Sequence, residues 1–423
     1  MSDISIIVDT ESEFHRGWTV VLACFCAATF AWGFGFYGQS VYLAVLHETR
    51  GWPSAQIASA TTVGYLASAI WTMHVHQAIR VLGPRQLLLA GAAILGASAI
   101  GMSRSQTLWQ LYLWNIALSI GWAGMNVTAI ASTLAYWFDR QRGFALNLAL
   151  NGSSMGGILV TPLLVHVVRH SGLADGVTVA VFAGWTVLLP IILLGVGPSP
   201  AQGVKRTFVL QHATASPLPA PTSAAQAFRS VRFWTIALPF SFALSAQVGF
   251  IVNQMALLLP HLGADGASYA IAAMAVAAFA GRTALASFID RLNQRRASAV
   301  TFTCQAIGLG LMLAMPDRPS ALYIGSVFVG FSIGNVISLA PIVIHHEFAP
   351  HSFGLLVGLN ATVGTLVMAA GPMLFGLTHD ISGGYAASLS LCIVLLLVSS
   401  SIVLYVPRGD RAGFDVPRFF GEE

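Results

Sequence analysis

Long apolar runs separated by short polar segments make up most of this chain. Each run is long enough, at about 20 residues, to cross the hydrocarbon core of a bilayer as a helix. In lipid, only a helix satisfies the backbone of a single open segment. We therefore predict an all-α membrane protein with twelve transmembrane helices, over residues 18–46, 54–79, 86–103, 108–137, 143–168, 177–197, 232–260, 268–289, 297–315, 320–344, 353–378 and 384–406.

A polar segment containing proline and serine separates the sixth run from the seventh. It predicts an N-terminal six-helix bundle (residues 1–197), a cytoplasmic linker (198–231), and a C-terminal six-helix bundle with a short tail (232–423). The two bundles resemble each other, because the segment 79–85 matches 289–295 and the segment 150–153 matches 359–362, at offsets of 210 and 209. Apolar helices also match by chance, but two matches at nearly one offset favour a duplication and pseudo-symmetric bundles.

The composition agrees with a polytopic membrane protein. The 423 residues are 56% hydrophobic and only 9% charged, whereas soluble domains carry about 25% charged residues. The net charge of +4 gives no indication of nucleic acid, because the basic residues flank the apolar runs. The four cysteines lie inside apolar runs, which favours buried thiols over disulfides or a metal site. The acidic start of the chain does not predict a signal peptide.

The basic residues also predict the orientation. With both termini in the cytoplasm, fifteen of the twenty lysines and arginines fall in cytoplasmic segments. Only four fall in outer loops, namely Arg50, Arg104, Arg169 and Arg318. This excess matches the tendency of cytoplasmic loops to carry positive charge.

The last basic residue, Arg282, lies inside an apolar run. It precedes Asp290 by eight residues, which places it about 12 Å from the helix end. A charge at that depth is costly, and proteins retain it where it faces a protein interior or a water-filled cavity. The functional interpretation is a site for an anionic substrate. The alternative is an arginine that only snorkels or pairs between helices.

Amides in two other runs are further candidates for substrate binding. Asn147 and Asn151 are four residues apart, so their side chains share one face of the fifth helix. Asn360 is the counterpart of Asn151 in the second bundle. The alternative is hydrogen bonding between helices, which also stabilises membrane bundles.

Other chemistry is not indicated. All sixteen acidic residues fall in predicted loops or tails, so no carboxylate is expected to carry protons in mid-membrane. Adjacent side chains on a helix point in different directions, so His345-His346-Glu347 is not predicted to bind a metal. We find no hydrolase motif and no nucleotide-binding loop, and predict neither an enzyme nor a cofactor.

Short motifs across the chain resemble the major facilitator superfamily. Within it, they resemble the monocarboxylate porter group and its bacterial relatives, including oxalate–formate antiporters. The motifs are Gly17-Trp18 before a glycine-rich helix, the stretch 137–145 followed by Gly152-Ser153-Ser154, and Gly281-Arg282 followed by Asp290-Arg291. One departure is Ala278, which stands where proton-coupled relatives often carry an acid.

The resemblance implies a carrier that binds substrate between its halves and exposes it alternately to each side. It implies that Arg282 clamps a substrate carboxylate, and that the first, fourth, seventh and tenth helices line the cavity. This adds four candidate substrate contacts: Tyr37, Asn126, Gln247 and Asn335. It also implies that two charged pairs gate the inner surface: Asp139 with Arg142, and Asp290 with Arg291.

The predicted function is secondary active transport of small organic anions, monocarboxylate-like, by alternating access and coupled to protons. Anion exchange, and export of neutral or amphipathic molecules, stay open as alternatives. We expect a monomer in the cell (inner) membrane, a carboxylate substrate, protons as a co-substrate, and no nucleic-acid partner.

Overall fold

The computed structural model describes residues 13–138, 141–197, 224–288, 292–348 and 353–406, and the regular structure in these ranges is helical. Within these ranges, nine helical stretches are long and apolar enough to cross a membrane. Two of these, Phe144–Gly195 and Val231–Leu285, each hold two helices, and the more polar Ser54–Leu82 is a further helix of membrane length. The prediction of twelve transmembrane helices is thereby confirmed.

We number these helices in chain order. They are α1 (Glu13–Phe30, Ala31–Tyr37 and Gly38–Arg50), α2 (Ser54–Leu82), α3 (Pro84–Ser103), α4 (Leu108–Ala123 and Val127–Leu134), α5 (Arg142–Met155, Gly156–Val160 and 161–171), α6 (173–195), α7 (231–262), α8 (264–288), α9 (Gln294–Ala314), α10 (Pro319–Glu347), α11 (Phe353–Ser382) and α12 (Tyr385–Leu404). A short helix, Ala224–Arg229, lies inside the predicted linker.

Glycine turns at one end of the bundle show the pseudo-symmetry of the halves. Gly51 follows α1 with φ 66°, and Gly263 divides α7 from α8 with φ 67°. Gly172 divides α5 from α6 with φ 78°, and Gly383 separates α11 from α12 with φ 72°. The partners are 212 and 211 residues apart, close to the predicted repeat. We call this end of the bundle the distal end and the opposite end the proximal end.

Glycines also set the closest helix contacts in both halves. A Cβ built on Gly156 in α5 would lie 2.6 Å from the backbone nitrogen of Gly33 in α1. In the second half, a Cβ on Gly371 in α11 would lie 3.2 Å from the nitrogen of Gly249 in α7. Small residues are what membrane helices need for such close approach, so equivalent helix pairs are joined in the same way.

One carboxylate ties together the proximal ends of four helices in the second half. Glu347, at the end of α10, accepts hydrogen bonds from Arg232 of α7 (3.0 Å) and from Nη2 of Arg295 of α9 (2.8 Å). Arg295 also donates to the carbonyl oxygen of Val403 in α12 and to the hydroxyl of Thr235 in α7. The role of Glu347 in this fold is therefore structural.

Candidate functional site

Two π-helical turns face each other near the middle of the first half. They are Ala31–Tyr37 in α1 and Gly156–Val160 in α5. A π-turn inserts an extra residue into a helix and re-aims the side chains that follow, and such turns are frequent at functional sites. Here the α1 turn ends on Tyr37, a predicted substrate contact.

Tyr37 lies where α1, α5 and α8 meet, and thus at the boundary between the two halves. A Cβ on Gly157 of α5 would lie 3.0 Å from Cε2 of Tyr37 and 2.6 Å from Cβ of Ala275 in α8. The missing side chain at Gly157 therefore leaves the space that the Tyr37 ring occupies. The ring is buried, with 3% of the residue exposed.

Arg282 lies two helical turns beyond Ala275 and on the same face of α8, because seven residues complete almost two full turns. It is half-buried, and the face that it shares with Ala275 is turned towards Tyr37 across the boundary. Behind it, a Cβ on Gly334 of α10 would lie 3.1 Å from its Nε. Within the described ranges, no carboxylate lies within 4.0 Å of Arg282. The site is thus a cation beside a phenol, between the halves.

The α5 amides lie on the proximal side of this site. Asn147 is exposed and Asn151 is half-buried, one turn apart on α5. Neither side chain is fully covered by the protein. The contacts found in the described residues do not join either amide to Arg282.

Asn126 has a local role. It caps the second part of α4, because its Oδ1 accepts a hydrogen bond from the backbone nitrogen of Ala129 at 3.1 Å. Its Nδ2 donates to the hydroxyl of Thr72 in α2 at 2.9 Å. Both ends of the amide are engaged, which favours a structural function over substrate contact.

Three other predicted amides retain an unpartnered oxygen. Gln247 and Asn335 are each 1% exposed, and the amide oxygens of both residues are buried without a hydrogen-bond partner. The Nδ2 of Asn335 donates to the carbonyl oxygen of Phe331. Asn360 is half-buried and also has a buried, unpartnered Oδ1. These oxygens require a donor, but the described contacts do not place them beside Arg282.

The predicted gating residues lie outside the part of the chain that the structure describes. Asp139, Asp290 and Arg291 fall in its gaps, and Arg142 begins the first part of α5 with a side chain outside the description. The gating role of these residues therefore stays a prediction.

Contacts that the sequence did not predict join the halves at the distal end. The guanidinium of Arg169 in α5 binds the carboxylate of Asp265 in α8. Asp380 in α11 accepts a hydrogen bond at 2.8 Å from the backbone nitrogen of Ala55 in α2. A Cβ on Gly376 would lie 3.0 Å from Cα of Ala55, so α2 and α11 are closely packed there. The distal end is closed.

The sequence also gave no indication of a small polar pocket between α1, α2 and α4. Gln39 accepts a hydrogen bond from Thr61 at 3.2 Å and donates to Asn115 at 3.4 Å. Tyr65 lines the same pocket with a buried, unpartnered hydroxyl. Each of these residues is polar, but their joint position depends on tertiary packing.

Two related bundles of six membrane helices with a cation at their boundary are the architecture of a secondary membrane transporter. The sequence model of the Major Facilitator Superfamily matches residues 23–372 and 255–417, and the chain belongs to this family.

Two relatives are carriers by name. The chain is 23% identical over 408 residues to Monocarboxylate transporter 13 of Bos taurus, covering 93% of this chain and 89% of that protein. It is 25% identical over 438 residues to Monocarboxylate transporter 11 of Homo sapiens, covering 93% and 83%. The protein is therefore a multi-pass membrane transporter of a small molecule, and not an enzyme.

A solved structure shares the fold. The crystal structure of a bacterial homolog of the human lysosomal transporter Spinster, in an inward-facing and unoccupied conformation, matches with a TM-score of 0.68. The two chains are 15% identical, and the match covers 93% of this chain and 97% of that one. The major facilitator fold predicted from the sequence is thereby confirmed.

Proposed function

We propose that this protein carries small organic anions, monocarboxylate-like, by alternating access. The observation that carries the proposal is the position of Arg282, a half-buried cation at the boundary of the halves that faces Tyr37. A guanidinium presents a planar fork that matches a carboxylate, and the match is better in a partly desolvated site. The names of the two monocarboxylate transporters support this substrate class.

In the proposed cycle, the two bundles (1–197 and 232–423) move as units about the central site, joined by the segment 198–231. The distal closure through Arg169–Asp265 and Asp380–Ala55 belongs to one end state. It agrees with the inward-facing conformation named for the Spinster homolog. Asn147, Asn151 and the unpartnered oxygens of Gln247, Asn335 and Asn360 are proposed contacts for the rest of the substrate.

We propose that the proximal end faces the cytoplasm of a cell whose inner membrane holds the protein as a monomer. The support is the distribution of basic residues, since fifteen of twenty fall in segments that the sequence predicts to be cytoplasmic. Proton symport is the proposed coupling. Since acidic residues lie at helix ends, the proton would travel on the substrate or on a histidine.

Uptake into proteoliposomes tests the proposal. A panel of radiolabelled carboxylates is offered to the wild type and to the variants Arg282→Ala and Arg282→Lys. We expect Arg282→Ala to abolish uptake, and Arg282→Lys to keep only part of it, because lysine retains the charge without the fork. Arg104→Gln, at an exposed distal arginine, serves as the control. Full uptake by Arg282→Ala would mean that Arg282 does not bind the carboxylate, and no carboxylate uptake by the wild type would favour export of neutral compounds.

The same vesicles separate symport from exchange. Uptake into empty vesicles that is driven by an inward proton gradient supports symport. Uptake only into vesicles preloaded with carboxylate means anion exchange.

A further inference from the structure

The distal end of α5 carries three cationic or titratable side chains on one face. His166, Arg169 and His170 occupy positions i, i+3 and i+4, which are neighbours on a helix surface. The two imidazole rings lie 4.4 Å apart between centroids, and His170 Nδ1 is 2.7 Å from the carbonyl oxygen of His166. We call these three residues the distal cation cluster.

The distal cation cluster already holds a carboxylate, and that carboxylate comes from the other half of the molecule. Arg169 binds Asp265 of α8, and the two histidines lie beside Arg169 on the same face of α5. The cluster thus lies at the mouth of the passage between the halves. When the halves part at this end, Asp265 moves away with α8 and leaves the cations facing the opening.

We propose that the distal cation cluster is an entry site that captures the substrate's carboxylate before it reaches Arg282. Asp265 is the internal carboxylate that occupies this site while the distal end is closed. Capture and closure then alternate at one arginine, because Asp265 and an incoming anion compete for it. This inference rests on the proposed function for the anionic nature of the substrate.

The surrounding charges favour an anion at this position. Two other charge contacts lie near this end: Asp175 with Arg104 at 3.7 Å, and His261 with Asp317 at 3.6 Å. From α10, the hydroxyl of Tyr323 donates to the carbonyl oxygen of Gly266. With Asp265 withdrawn, α5 presents the positive charge of Arg169 beside two imidazole rings.

The exposure of the Arg169–Asp265 pair favours a role in capturing the substrate over a role in only holding the two halves together. The side chains of Arg169 and Asp265 are 50% and 57% exposed. Exposed ion pairs contribute little to holding a structure together. Exposed charges at a mouth do raise the local concentration and association rate of an oppositely charged ligand. The arrangement therefore suits steering better than locking.

A cysteine reporter beside Asp265 tests the proposal without knowledge of the natural substrate. Ala264→Cys is modified with 2-sulfonatoethyl methanethiosulfonate, an anion, and with methyl methanethiosulfonate, which is neutral. The rate ratio cancels the protonation of the thiol. The protein without Ala264→Cys provides the blank for the four native cysteines. Lactate is the protecting anion, and lactamide is its neutral control.

Two substitutions that break the same ion pair have opposite expected effects. Asp265→Asn frees Arg169, so lactate should protect the reporter at a concentration about fivefold lower. Arg169→Gln should abolish the protection. The anion-to-neutral rate ratio should also fall in Arg169→Gln, because the fixed positive charge beside the reporter is gone.

Several outcomes would overturn the proposal. If Arg169→Gln and Asp265→Asn changed the protecting lactate concentration equally, the ion pair would only hold the two halves together. Equal protection by lactamide would exclude an anion site. Loss of protection in Arg282→Ala would mean that the reporter senses the central site. Protection retained in Arg282→Ala supports a separate entry site, and it is read independently of whether that variant still transports.

Discussion

At the scale of single residues, the central site depends on what its neighbours lack. Arg282 reaches the boundary between the halves because Gly334 leaves room beside its Nε. Tyr37 reaches the same boundary because Gly157 carries no side chain. A buried phenol and a half-buried guanidinium are then the polar groups that meet there. We expect a carboxylate bound to Arg282 to accept a second hydrogen bond from the phenolic hydroxyl.

Tyr37→Phe isolates that second donor. The ring keeps its packing against Gly157, and only the hydroxyl is lost. A hydrogen bond to a charged group contributes about 1.5 kcal/mol, so we expect the KM for the carboxylate to rise about tenfold. Initial rates of uptake into proteoliposomes give KM, and thermal unfolding in detergent checks that the fold is intact. An unchanged KM would mean that the hydroxyl does not touch the substrate.

The sequence indicates candidate residues for this site, but not the contacts that surround them. Arg282 stood out because a charge in an apolar run has few explanations. Asn126 looked equally suitable on its polarity alone, yet it caps a break in α4. The break is preceded by Gly124-Met125, which is as apolar as the rest of the run. Hydropathy therefore contains no signal that separates a capping amide from one that lines a cavity.

At the scale of helices, the sequence predicted which segments cross the membrane, but the distal turns are shorter than predicted. The predicted helices leave turns of six or more residues between the fifth and sixth helices and between the seventh and eighth. Each gap is a single glycine, Gly172 or Gly263, with a left-handed backbone that lets two helices meet directly. Polar residues such as Asp175 and Asp265 suggested loops there, although both lie in the first turn of a helix, where acidic side chains are stabilised.

The proximal ends of α7, α9, α10 and α12 depend on Glu347, and Glu347→Ala tests this. Removing one partner from a largely buried ion pair leaves the other charges uncompensated, which costs about 3 kcal/mol. Arg295 is 6% exposed, so it cannot recover its hydration by a small movement. We expect a clear fall in the melting temperature in detergent. Asp175→Asn, which breaks the exposed contact to Arg104, is the matched control and should leave Tm unchanged.

At the scale of the whole molecule, the pseudo-symmetry was visible in the sequence, but the state of the gate was not. The repeat offset of about 210 reappears in the paired glycine turns. The charged pairs expected to gate the molecule are predicted for the proximal end, whereas the described inter-half contacts of Arg169 and Asp380 lie at the distal end. The sequence contains the side chains that form the contacts of both end states. The structure shows which of these contacts are present together.

The distal contact between α2 and α11 offers the most direct test of alternating access. Cysteines in place of Ala55 and Asp380, whose backbone nitrogen and carboxylate oxygen are 2.8 Å apart, should be joined readily by a short bis-methanethiosulfonate. If the halves must part at this end once in every cycle, the cross-link will stop uptake, and reduction will restore it. The single-cysteine variants treated with the same reagent show any effect of modification alone.

A cross-link within one half is the control for this experiment. It shows whether uptake stops because the two halves cannot part or only because a helix end has been stiffened. Thr378 of α11 and Ser388 of α12 lie at the same distal end, with their hydroxyl oxygens 2.8 Å apart. Cysteines at these two positions are close enough to be joined, and because Ser388 is buried the extent of cross-linking is measured before uptake is compared. Since α11 and α12 belong to the same bundle, we expect uptake to continue at the rate of the untreated protein. Continued uptake with the cross-link between positions 55 and 380 would mean that the bundles do not separate there, and the substrate would have to enter by another route.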